Sequence, residues 1–420
     1  MTGFPRAQID GILPFPYLAG IMFPLSRRAL GILCITGFSL AGVGWFKALN
    51  KDDAGAVPGE TGSAKNGKRE DRNARDPGSK ASLASDPRSV RLVELMEQLG
   101  EGTETGEPNS AFLKAAQLTL DDSLFQRRQR DFRMLLEKMS AEDAAEIHAR
   151  FRAMEKEGRY FAPEYGAFAM RWGQLDGEGA MAIWMARELH DRPIHDMANV
   201  ITGWATTDPE EALKWAEENK EALAGANPYP HLLAGWLTKD PVAATAWLAN
   251  ANLDAGQYRE CVRAGVLDKI YSDGLDGASE WLASLPTTSD EQAQAARDGW
   301  NTHIGHLGHL EPELAAAAWS KVGSKPWMTS QEFAGFCRSV ARGNGGSLEG
   351  FAEQLSQQWP KAEASSQFSQ WTEQDPNLVR ALLSELPPSE IRSTGIEGML
   401  QTLERSNPAA AAAWREEHGN

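Results

Sequence analysis

The chain has 420 residues, 42% of them hydrophobic, with a formal net charge of −16 and 14 tryptophans. The charge is uneven: residues 1–120 carry 14 Lys/Arg against 13 Asp/Glu, whereas the remaining 300 carry 28 against 45. Phosphate contacts need clustered Lys/Arg, so the acidic bulk excludes a nucleic-acid binder. The three cysteines, Cys34, Cys261 and Cys337, are too few and too widely spaced for a disulfide framework.

Residues 1–28 read as a cytoplasmic N-terminal segment in which Pro5, Pro14 and Pro16 interrupt any helix. Met22 opens a tidier basic-then-apolar signal and is a second candidate start. From Ala29 to Phe46 runs ALGILCITGFSLAGVGWF, 18 residues without charge, preceded by Arg27 and Arg28 and followed by Lys47 and Lys51. As a helix this spans roughly 27 Å, the thickness of a bilayer core. Trp45 sits at an interfacial position, and the paired arginines favour a cytoplasmic N-terminus. The expectation is a single transmembrane signal anchor over 29–46, contacting the membrane and leaving the rest on the extracytoplasmic side of the cytoplasmic membrane. The alternative is a cleaved signal peptide using Gly42 and Gly44, which the length of the apolar run disfavours. Leu33 before Cys34 argues against a lipoprotein. Residues 47–88 are rich in Gly, Ala, Ser, Asp, Lys and Arg, cannot bury enough surface to offset chain entropy, and read as a disordered linker.

Two amphipathic helices are predicted over Ser89–Leu99 and Ala111–Leu120, an N-terminal helical cap spanning 89–120. From 121 to 420 a large residue recurs at Ile147, Trp184, Trp215, Trp247, Trp281, Trp319, Phe351, Leu382 and Trp414, at intervals of 31 to 38 residues. Such a period marks a stacked array, because one unit cannot bury its own apolar face. The clearest copies run from Trp204 to Trp215 and from Trp236 to Trp247. Within them Asp208, Asp240, Asp375 and Asn407 are each followed by proline, the chemistry of an N-cap with proline at the first helical position. Glu211 stands three residues after Asp208, and Asp143 three after Ser140, as in a capping box. Alanine precedes the large residue by three at 144, 212, 244, 278, 316 and 411, leaving room for a neighbouring helix. Trp204 and Trp236 are expected to close the first helix of each hairpin against the start of the second. The recurring tryptophans read as inter-repeat core rather than as a carbohydrate platform, so Trp215→Ala or Trp247→Ala is expected to cost about 3–5 kcal/mol.

The unit resembles tetratricopeptide-type helical repeats. Asp208-Pro-Glu-Glu-Ala-Leu-Lys-Trp215 looks like the second helix of such a repeat. The period is near 32 rather than 34, and the usual Leu-Gly pair is missing from the first helix, although Gly203-Trp204 and Gly235-Trp236 lie near its end. The resemblance implies an all-α, right-handed α-α superhelix, a solenoid of about nine hairpins over 121–420. No peptide-binding position of that family can be carried over.

Candidate chemistry is sparse. His303-Ile-Gly-His306-Leu-Gly-His309 before Glu311 lacks the i, i+4 spacing of a helical zinc pair, and Gly305 and Gly308 weaken the helix. His190-Asp191 and His195-Asp196 have no recognisable nucleophile nearby. Arg342-Gly-Asn-Gly-Gly346 reads as a turn. No catalytic, cofactor-binding or metal residue is therefore nominated, no cofactor is implied and no binding residue is assigned. The expected role is a membrane-tethered scaffold or adaptor, not an enzyme, binding a basic or amphipathic protein or peptide partner. A cell-envelope enzyme with an α-superhelical or toroidal body acting on polysaccharide, and a structural spacer, are the alternatives.

Overall fold

A computed structural model describes residues 86–99, 107–187, 194–223, 225–307 and 311–418. The apolar run at 29–46 and almost all of the linker lie outside the described residues, as do His190, Asp191 and His309. Among the described residues no helix is long and apolar enough to cross a membrane.

The described chain is all-helical, with 18 helices and no strand. The first two are α1 (Pro87–Gln98) and α2 (Ser110–Leu120). Nine units follow in sequence, each a pair of helices or one interrupted helix. The first is α3 (Phe125–Leu136) with α4 (Ala141–Lys156). The second is a single span, α5 (Ala162–Met185), interrupted at Asp176. Then come α6 (Ile194–Thr207) with α7 (Pro209–Glu218), and α8 (Tyr229–Lys239) with α9 (Pro241–Asn250). The fifth hairpin is again one span, α10 (Ala255–Ser284), interrupted at Gly274. The last four pairs are α11 (Asp290–Leu307) with α12 (Pro312–Val322), α13 (Ser330–Gly343) with α14 (Glu349–Gln358), α15 (Lys361–Gln374) with α16 (Pro376–Glu385), and α17 (Glu390–Ser406) with α18 (Pro408–His418).

The second helices begin where the side chains cap them. The Asp208 carboxylate accepts from the Glu211 N–H at 3.0 Å and that of Asp375 from the Leu378 N–H at 3.0 Å. Asp240 accepts from two N–H groups, of Val242 and Ala243, each at 3.0 Å. Asn407 accepts from Ala410 at 3.2 Å, and Ser140 with Asp143 forms a complete capping box. The interruption in α5 belongs to the same series: Asp176 has a non-helical backbone and accepts from the Gly179 N–H at 2.9 Å. In α10 the cap position is Gly274 with φ +79°, a left-handed conformation that glycine adopts without steric cost. Glu211 departs from expectation. Its carboxylate accepts from the Trp204 indole at 3.0 Å, tying the end of α6 to the start of α7 instead of closing a capping box.

Packing runs between chain neighbours. First helices lie against first helices, α5 on α6, α6 on α8 and α8 on α10. Gly203 on α6 shows how close these approaches are: a Cβ there would overlap the Met170 carbonyl of α5. Gly235 stands in the same relation to Thr202 on α6, which accounts for the Gly-Trp pairs at 203–204 and 235–236. All six recurring alanines are buried, as their small size requires at a helix contact. Cys261 and Cys337 are free and buried, and burial pushes both thiols well above the ordinary range.

The tryptophan expectation needs one correction. Trp184, Trp281, Trp319 and Trp414 are core residues, but Trp215 and Trp247 are only partly buried. In these two hairpins Ala212 and Ala216, and Ala244 and Leu248, form the buried i, i+4 stripe. The indole one position earlier is turned to the flank, where it packs on the preceding tryptophan at 6.0 Å (Trp204–Trp215) or 5.7 Å (Trp236–Trp247). The space between the helices is already filled by Trp204 and Trp236.

Candidate functional site

Two second helices pack on the second helix before them, α12 on α10 and α14 on α12. Between α9 and the second half of α10 the packing opens, leaving a groove of about 740 Å³, within the range of small-molecule and peptide sites. One wall is α9, whose lining residues Val242, Thr245, Ala246 and Ala249 carry no charge. Val242 is 81% exposed. Isolated exposed apolar residues are ordinary, but this one lies on the rim of a concavity. The other wall presents Gly277, Trp281 and Ser284 inward, with Asp273, Asp276 and Glu280 beside them. The Trp281 indole donates to Thr245 Oγ1 at 3.0 Å, joining the two walls at the floor.

The acidic wall has three carboxylates and two ammonium groups. Lys269 holds Asp273 at 2.7 Å. Lys321 of α12 reaches both Asp276 and Glu280, the latter at 2.9 Å. Burial opposes the charge on Lys321, but the two carboxylates outweigh it and hold the ammonium above its ordinary value. The Asp276 and Glu280 side chains are 70% and 66% exposed, so these pairs are solvent-screened and exchangeable.

Two other polar clusters compete for attention. In the first, Asp196 on α6 receives Arg187 at 3.1 Å, Arg152 at 3.3 Å and the Tyr165 hydroxyl at 3.2 Å on one carboxylate oxygen. His148 joins through Tyr165 at 3.2 Å and Arg187 at 3.1 Å. Burial, then the Arg187 and Arg152 charges, lower the His148 pKa to about 4, so the ring is neutral. Burial raises Asp196 despite its two guanidinium partners. The cluster clasps α4, α5 and α6 together. One oxygen of the Asp196 carboxylate takes all three contacts, and the His195 side chain lies outside the described residues.

In the second, His303 Nε2 lies 2.8 Å from Ser279 Oγ. A serine beside an imidazole has the form of a nucleophile and its base. Both side chains are completely buried, however, and burial takes the His303 pKa down to about 4. No substrate reaches this pair, and it serves as an internal hydrogen bond between α10 and α11. His306 points outward while His303 points inward, so the two do not converge. The glycines after Arg342 form the expected turn, with Gly345 and Gly346 at positive φ.

The sequence reading missed the groove, yet one signal was present. The residue after the proline is Glu210, Glu313, Asn377 or Ala409 in other units and the larger apolar Val242 in this one. Val242 is thus the one branched apolar side chain at this exposed first-turn position among these units. No family model, no curated protein and no solved structure matches this chain.

Proposed function

We propose that this chain is a membrane-tethered helical-repeat scaffold of tetratricopeptide-like, superhelical type that holds a protein partner outside the cytoplasm. The observation that carries the reading is the groove between α9 and α10, a concavity with one apolar and one acidic wall. The anchor expected over 29–46 and the linker over 47–88 support the tether. The excess of Asp/Glu over Lys/Arg beyond residue 120 supports a basic or amphipathic partner through long-range attraction.

The test is fractionation and capture of the tagged full chain from its own cells. The scaffold reading expects the chain to stay with membranes after an alkaline wash. In mild detergent it should retain a stoichiometric protein that is released as salt is raised. Release from membranes by the wash would remove the tether. Recovery of the chain alone at every salt concentration would leave a spacer, and recovery of glycan instead of protein would favour the polysaccharide alternative.

A further inference from the structure

We infer that the groove between α9 and α10 takes one amphipathic helix of a partner protein, with its apolar stripe against Val242 and Trp281 and lysines or arginines against Asp276 and Glu280. This rests on the scaffold reading and adds the place, the conformation and the charge pattern of the ligand. Both walls are helix faces. On α9 the groove residues Val242, Ala246 and Ala249 follow the i, i+4, i+7 spacing, and on α10 Gly277, Trp281 and Ser284 do the same. A third helix lying between two such faces matches their periodicity, whereas an extended strand, with its period of two, does not. Ala246, Ala249, Gly277 and Ser284 are small, so the incoming backbone can approach closely while larger side chains of the partner fill the groove.

Charge sets the orientation. α9 contributes no ionisable side chain, and all three carboxylates stand on the α10 wall. A partner helix with cations along one flank of its apolar stripe satisfies both walls in one rotational setting and leaves them mismatched in the other. Lys321 is the internal occupant of that charge site, bound to Asp276 and Glu280, and is positioned to be displaced by a partner cation. The ten residues of α9 are about 15 Å long, so two to three turns of partner helix make the contact.

The experiment selects displayed peptides of about 14 residues on the full 420-residue chain in mild detergent, and measures the enriched peptides against wild type, Val242→Asp and Glu280→Lys. Both substituted side chains are exposed, and unchanged circular dichroism confirms that the variants fold. Support is enrichment of peptides with an apolar helical stripe and a basic flank, helical when bound, losing at least about tenfold in affinity to each variant. Glu280→Lys should regain binding when the basic flank is replaced by glutamate. Enrichment of extended or proline-rich peptides, of peptides binding all three proteins equally, or of none at all overturns the assignment. If peptides fail here while the chain still captures a salt-sensitive protein from membranes, the groove assignment falls and the scaffold stands. If both fail, the scaffold falls with it.

Discussion

Replacing Trp319 by alanine tests the packing account at its densest point. The indole is wholly buried and lies 4.5 Å from the Phe333 ring, 5.5 Å from Phe336 in a stacked arrangement, and 5.8 Å from both Trp300 and Trp359. With Trp371 on α15 at 6.4 Å, its ring neighbours come from three consecutive hairpins. Burying about 200 Å² at about 25 cal/mol per Å² corresponds to about 5 kcal/mol, consistent with the range of about 3–5 kcal/mol for large aromatic truncations. Trp319→Phe should cost much less, because it keeps a ring and removes an indole N–H that is buried without a partner. Trp215→Ala serves as the contrast, since that ring is partly solvent-exposed and should cost about 1–2 kcal/mol. Native-state hydrogen exchange is the suitable assay, because neighbour-to-neighbour packing confines the damage to adjacent repeats. Protection should fall in α11 to α15 and persist in α5 to α8. Equal losses from Trp319→Ala and Trp215→Ala, or loss spread evenly over all helices, would refute the reasoning.

Three further outcomes are expected. The folded-state pKa of His303, about 4, lies below its ordinary 6.5, so the unfolded chain binds more protons between these values. Its contribution is therefore complete above pH 6.5 and is lost as the pH falls, costing about 2 kcal/mol at pH 5. Denaturant titrations of wild type and His303→Gln between pH 7 and 4 should show the slope shrinking in the variant. Gly203→Ala should destabilise by about 1–3 kcal/mol, because the methyl is driven into the Met170 carbonyl; thermal unfolding reads this directly. Asp240→Ala should cost about 1 kcal/mol through loss of two capping hydrogen bonds, visible as faster exchange of the Val242 and Ala243 amides.

What was legible in the sequence is what depends on neighbours along one helix. Asp208, Asp240, Asp375 and Asn407 announce the second helices because a cap and a proline act over four residues. The recurring alanines mark helix contacts because nothing larger fits there. The tryptophans were misleading where two large rings compete for one space: Trp204 and Trp236 take the interior, and Trp215 and Trp247 turn outward by one position. The clasp around Asp196 draws on residues 148 and 152 of α4, 165 of α5 and 187 just beyond it, with no spacing that a motif could capture. The groove was least legible of all, since it arises from helices that do not close on one another, and only Val242 betrays it locally.

The most direct measurement is site-specific photocrosslinking in the cells that make this protein, with the crosslinking side chain at position 242 of the full chain. Leu314, also exposed but on α12 and outside the groove, provides the control position. The account predicts a discrete protein adduct from position 242, absent from position 314, whose crosslinked segment is a basic amphipathic helix. No adduct from position 242, or the same adducts from both positions, would contradict it.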